Sequence, residues 1–145
     1  MSTVREILQT KGHKVVSVAP RDTVYNTLKL MAEKNVGAVI VLDGDTIAGI
    51  FSERDFARHA IKNSRSPQEV LVKEMMTSKV LFVNPSQTTD DCMSLMTTKH
   101  VRHLPVLEDD KLIGLISIGD VVNKIIEDHK FSIDQLARYV TGELI

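Results

Sequence analysis

The sequence predicts an α+β fold of α/β type: two β-α-β-β-α repeats packed sheet to sheet about an internal pseudo-two-fold axis. Three observations carry that expectation. Sliding the chain by 65 residues superposes Val15–Ala60 on Val80–Ile125 without a gap, and 14 of the 46 pairs are identical. Ordinary residue frequencies would give about 3. Within each copy, short apolar runs flank a tight turn, and runs with helical spacing lie on either side of them. A repeat of this size is also too small to hold a good core alone, so two must share one.

Each element follows in order. A β-rich run, Val15–Val18 and again Val80–Val83, ends at Pro20 or Pro85, which cannot donate to a ladder. The Asp22-Thr23 and Thr88-Thr89 regions supply helix caps. Val24, Leu28 and Met31 then fall at i, i+4 and i+7, with Cys92, Met93 and Met96 clustered likewise. Two apolar strands follow around Asp43-Gly44-Asp45 (Ala38–Leu42 and Ile47–Phe51) and around Glu108-Asp109-Asp110 (Leu104–Leu107 and Leu112–Ile116). Asp-Gly between apolar runs signals a hairpin. A second helix starts at Glu53 or Ile118 and runs through Ala60 or Ile126.

Outside the duplication, Val4-Arg-Glu-Ile-Leu mirrors Val72-Lys-Glu-Met-Met, and each leads into a repeat. Lys62–Glu69 reads as the linker, where Ser66 and Glu69 have capping-box spacing for a short helix through Met76. Ser132 and Gln135 before Leu136, Tyr139 and Val140 suggest an amphipathic tail helix. The expected domains are therefore residues 1–64, 65–128 and a tail helix over 129–145.

Composition narrows the function. With 18 basic and 19 acidic residues and 43% hydrophobic content, the chain is neither disordered nor a polyanion-coating protein. A lone cysteine, Cys92, favours a reducing compartment, and no run approaches 18 apolar residues. The expectation is a cytoplasmic protein without a membrane or nucleic-acid partner.

The most informative motif is the strand-to-helix junction, Gly49-Ile-Phe-Ser-Glu-Arg-Asp55 and Gly114-Leu-Ile-Ser-Ile-Gly-Asp120. One reading is a pair of Ser-x-x-Asp capping boxes, each stabilising its helix by about 1 kcal/mol. The other is ligand binding. Unpaired N–H groups and the helix dipole favour an anion there, while a first-turn carboxylate accepts bonds from both ribose hydroxyls.

The repeat, these junctions, Val72-Lys-Glu-Met-Met-Thr77 and His103-Leu-Pro-Val106 together resemble a tandem pair of cystathionine-β-synthase (CBS) domains, notably the free-standing bacterial CBS-pair signalling proteins. The resemblance spans Val4 to about Ile126. It implies a regulatory sensor with no catalytic cofactor, binding AMP, ADP, ATP, NAD or S-adenosylmethionine in two clefts. It further implies a homodimer through helices and a downstream protein whose identity the sequence does not disclose.

Carried over by position, one site would join Ser52, Arg54 and Asp55 to Lys79, Val80, Leu81, Val101, Arg102 and His103. The other would join Ser117, Ile118 and Asp120 to Lys14, Val15, Val16, Gly37 and Ala38. The aspartates would hold ribose, the serines would contact phosphate, and apolar strand residues would sandwich adenine. Arg54 stands where the second copy has Gly119, and Arg102-His103 where the first has Gly37-Ala38. Cationic phosphate partners therefore gather in the Asp55 set, with His13 and Lys14 near the other.

Competing readings are weaker. His100 and His103 form H-x-x-H, but strand spacing would send them to opposite faces without a third ligand. Cys92 and the methionines Met31, Met75, Met76, Met93 and Met96 read as core or interface filler. Arg54 and Arg58 could simply be solvated. A second apolar stripe on Phe56, Ala57, Ala60 and Ile61, and on Val121, Val122, Ile125 and Ile126, fits a helix-mediated homodimer. No catalytic constellation stands out. The alternatives are a nucleotide-hydrolysing enzyme, for which only Glu53 and His103 are candidates, and a ligand-independent dimerisation or nucleic-acid adaptor.

Overall fold

The computed structural model describes residues 1–62 and 64–142. The elements run α1 (Val4–Lys11), β1 (Ser17–Val18), α2 (Val24–Lys34), β2 (Ala38–Asp43), β3 (Thr46–Ser52), α3 (Glu53–Ala60), α4 (Val72–Met75), α5 (Thr89–Lys99), β4 (His103–Glu108), β5 (Lys111–Ser117) and α6 (Ile118–Thr141). They form two compact units, each with its own small sheet: residues 14–81, and residues 1–13 together with the chain from Phe82 onward.

The units therefore cut across the sequence order, because each leading segment packs with the other copy's repeat. In one unit Val4 and Arg5 donate to the Gln87 and Pro85 carbonyls, at 2.8 and 2.9 Å. In the other, Val72 and Lys73 donate to Asp22 and Pro20, at 2.8 and 3.2 Å. The same turn between proline and helix thus receives the same backbone pairing, but from the opposite end of the chain.

In the unit of residues 14–81, β2 pairs antiparallel with β3 and parallel with β1. Its core gathers Val24, Met31, Val39, Val41, Phe51, Val70, Val72 and Met75, all buried. Thr23 caps α2 by accepting from Asn26 N–H, and Asn35 closes that helix in the left-handed region at φ 54°. The hairpin turn is Gly44-Asp45, with Gly44 at φ 63°.

The other unit repeats this plan with instructive differences. Its turn uses Asp109 and Asp110 at φ 52° and 61°, which aspartate tolerates better than most residues. The expected Val80–Val83 strand contracts to a single bridge between Val83 and Val106. The cause is Pro105, which stands where the first copy has Ile40. Ile40 donates its N–H to Val16, at 3.1 Å, and proline has none to give. In the first copy the expected Val15–Val18 run likewise narrows to Ser17–Val18.

Two further expectations are revised. Ser66 does not form a capping box with Glu69; its hydroxyl donates to Gln68 Oε1 at 2.6 Å. Glu74 instead accepts from Leu71 N–H at 2.8 Å, so α4 starts later and spans one turn. The tail is not a separate helix, because α6 continues unbroken from Ile118 to Thr141. No helix turn between residues 126 and 129 carries a Gly or Pro to stop it.

A shared β-bulge follows from the register. Val41 pairs with Gly49 and Leu42 with Ile47, leaving Ala48 extra; Ile113 is extra in the second copy. The Ile113 carbonyl accepts from His13 Nδ1 at 2.9 Å. The identical glycines beside these bulges admit the leading helices. A Cβ on Gly49 would lie 2.7 Å from Met76 Sδ and the Thr77 carbonyl, and one on Gly114 would lie 2.6 Å from Leu8 Cδ2.

Candidate functional site

Both Ser-x-x-Asp junctions form complete capping boxes. In the first, Ser52 N–H donates to Asp55 Oδ2 at 2.8 Å, and Asp55 N–H donates to Ser52 Oγ at 3.3 Å. The other carboxylate oxygen, Oδ1, accepts from the Thr77 hydroxyl at 3.0 Å. Asp55 is only 6% exposed. Thr77 is fixed in turn by mutual backbone bonds with Ile50, at 2.9 and 2.8 Å. Gly37 joins the same corner, its carbonyl accepting from Glu53 N–H at 3.1 Å.

The second junction repeats the box but changes the third partner. Ser117 N–H donates to Asp120 Oδ2 at 2.8 Å, and Asp120 N–H to Ser117 Oγ at 3.1 Å. Lys11 Nζ donates to the same Oδ2 at 2.6 Å and to the Leu115 carbonyl at 2.7 Å. Burial works against ionisation of Asp120, yet the Lys11 ammonium and the Ser117 N–H together hold its carboxyl below the ordinary value of 3.8. Here Arg102 plays the part of Gly37, accepting from Ile118 N–H at 2.8 Å. A groove of about 240 Å³ opens beside the pair, with Ile7, Thr10, Asn123 and Glu127 among its walls.

Lys11 and Thr77 were absent from the sequence-derived sets. A signal for Lys11 existed. The repeats align at an offset of 65, whereas the leading segments align at 68, so the first copy holds three additional residues between them. Those residues extend α1 by about one turn beyond α4 and carry an ammonium to the junction where the other copy uses Thr77.

The two sets draw on both units. Ser52, Arg54, Asp55, Lys79, Val80 and Leu81 belong to one, and Val101, Arg102 and His103 to the other; Lys14, Val15, Val16, Gly37 and Ala38 belong to one, and Ser117, Ile118 and Asp120 to the other. Within a unit, strand register brings Ala38 opposite Ser52 and His103 opposite Ser117. Arg54 is half-buried, while Lys14, Lys79 and Arg102 are exposed.

Other candidates resolve into ordinary roles. His100 closes α5 in the left-handed region at φ 56°, and His103 begins β4. Among the described residues no group of three or more His, Cys, Asp or Glu could hold a metal ion. Cys92 is fully buried, and burial with the neighbouring Asp91 charge pushes its thiol up to about 11. Among the described residues no helix is long and apolar enough to cross a membrane.

Comparison with known proteins places this arrangement. The CBS domain family matches twice, over residues 4–62 and 72–127. The chain is 34% identical to the mitochondrial CBS domain-containing protein CBSX3 of Arabidopsis thaliana, covering 97% of this chain and 73% of that one. A protein with CBS domains from Burkholderia ambifaria MC40-6, whose structure is solved, is 52% identical, with a TM-score of 0.84 over 88% of this chain and 96% of that one. The CBS domain pair of protein MJ0100, solved with 5′-methylthioadenosine and S-adenosyl-L-methionine, shares the fold at 17% identity, with a TM-score of 0.77 over 88% of this chain and 98% of that one. The chain thus belongs to the CBS-domain family and carries two copies of the domain, the arrangement of a regulatory module.

Proposed function

We propose that this CBS pair is a sensor of adenine nucleotides, whose two aspartate junctions each serve one ligand position. The observation that carries the reading is the duplicated helix start, in which a capped N-terminus and an N3 carboxylate recur at residues 52–55 and 117–120. The helix N-terminus favours phosphate, and the carboxylate suits ribose hydroxyls. In both junctions the box engages Oδ2, and at Asp55 the Thr77 hydroxyl donates to Oδ1 as well. The adenosine ligands of the MJ0100 CBS pair support the same chemistry. Ligand would regulate by binding two conformations of the pair unequally and so changing its contact with a downstream protein.

A thermal-shift series with AMP, ADP, ATP, NAD, S-adenosylmethionine and GTP tests this, followed by titration calorimetry on Asp55→Asn and Asp120→Asn. Asparagine keeps an oxygen for the capping bond, so loss of binding separates from loss of fold. An adenine ligand at 100 times its Kd should stabilise the chain by about 2.7 kcal/mol, and at least one substitution should weaken it tenfold or more. No shift with any adenine compound would overturn the reading in favour of a ligand-independent adaptor. Release of phosphate from ATP by the pure chain would overturn it in favour of an enzyme.

A further inference from the structure

The protein already uses different amounts of the two junction carboxylates. An ionised carboxylate offers about four acceptor positions, two on each oxygen. At Asp55 three are taken. The Ser52 N–H and hydroxyl both donate to Oδ2, at 2.8 and 3.0 Å, and the Thr77 hydroxyl donates to Oδ1 at 3.0 Å. At Asp120 the Ser117 N–H and Lys11 Nζ both fall on Oδ2, at 2.8 and 2.6 Å, and among the described residues no donor engages Oδ1. Asp55 is buried, while the Asp120 side chain is part exposed. Thr77 separates the two. Its mutual backbone bonds with Ile50 hold it beside the box, and a β-branched side chain has few χ1 settings. At the offset of 68 that aligns the leading segments, its counterpart is Gln9, which lies inside α1.

We infer that Thr77 is a specificity-determining residue, through which Asp55 reads one ribose hydroxyl while Asp120 reads both. The inference rests on the sensor reading above and narrows it. A ribose diol needs two open acceptor positions on a carboxylate. Oδ1 of Asp120 supplies two, whereas Asp55 keeps one. Hydrogen bonds to a charged group are the costly ones to leave unmade. Asp120 therefore rejects a nucleotide that lacks either hydroxyl. Asp55 rejects only the nucleotide that lacks the hydroxyl it bonds. The chain thus distinguishes ribonucleotides strictly at one position and tolerates a deoxynucleotide at the other.

Titration calorimetry of the full chain with AMP, 2′-deoxy-AMP and 3′-deoxy-AMP tests this. Asp55→Asn leaves the Asp120 junction to be read, and Asp120→Asn leaves the Asp55 junction. With Asp55→Asn, both deoxy compounds should bind at least about tenfold more weakly than AMP. With Asp120→Asn, one deoxy compound should bind within about threefold of AMP and the other about tenfold more weakly. Adding Thr77→Val to Asp120→Asn removes the competing hydroxyl and should make both deoxy compounds weak, whereas Thr77→Ser should keep the one-sided pattern. The same pattern at both junctions, or an Asp55 pattern that Thr77→Val leaves as it was, would overturn the inference while AMP binding keeps the sensor reading in place. So would loss of AMP binding in either single variant. An unsubstituted chain that binds no adenine nucleotide would overturn both readings together.

Discussion

Asp55 and Asp120 occupy equivalent places in sequence and in fold, yet a hydroxyl faces one and an ammonium the other. The difference predicts a difference in selectivity. A ribose reaching Asp120 must share its carboxylate with Lys11, while a phosphate nearby gains that ammonium as a partner. Lys11→Met should therefore lower the ratio of ATP to adenosine affinity in calorimetry; an unchanged ratio would show that Lys11 plays no part in recognition. The same pair has a pH signature. Because the folded Asp120 value lies below 3.8, its contribution to stability is complete above the unfolded value and is lost as pH falls through the depressed folded one. The pair is part exposed, at 38% and 25%, so its loss should cost about 0.5 kcal/mol. Urea midpoints of wild type and Lys11→Met should accordingly differ at pH 7 and converge at the acid end. Cys92, buried and raised to about 11, should resist a thiol reagent at pH 8 until the protein unfolds; stoichiometric labelling of folded protein would contradict its placement.

At the scale of elements, the matched glycines allow a sharper comparison. Gly49→Ala would drive a methyl into the Thr77 backbone carbonyl, whereas Gly114→Ala meets only the end of the Leu8 side chain. The first should destabilise by about 1–3 kcal/mol and the second by less, as read from denaturant midpoints. Much of this level was legible beforehand. Helices begin at Glu53 and Ile118 because Ser-x-x-Asp is a local signal, satisfied within four residues. Pairing partners were less legible, since they depend on residues far away. The Val80–Val83 run has good strand composition, but its ladder fails at Pro105, some twenty residues later. Ser66 and Glu69 match a capping box in spacing, yet Glu74 supplies the helix start that forms.

At the scale of the whole molecule, the duplication announced the architecture, and the double match to the CBS domain family agrees with it. What it could not announce was the exchange of the leading segments. Residues 4–8 and 72–76 look alike, so similarity alone gives no reason to assign either to the nearer repeat. Their assignment rests on backbone bonds to Pro85–Gln87 and Pro20–Asp22, tertiary information that no local pattern contains. The residues of the candidate site divide the same way. The aspartates are visible as motifs, whereas Lys11 and Thr77 reach them from those exchanged segments.

That exchange constrains how such a chain could have arisen. Cut after residue 64, the first half would keep a leading helix with nowhere to dock and a repeat lacking the segment that completes it. Two such halves could each supply what the other lacks, as strand- and helix-trading dimers do. Joining them in one gene would convert a concentration-dependent partnership into a tethered one. With the halves linked, each would be free to diverge, and a lysine could settle on one side alone.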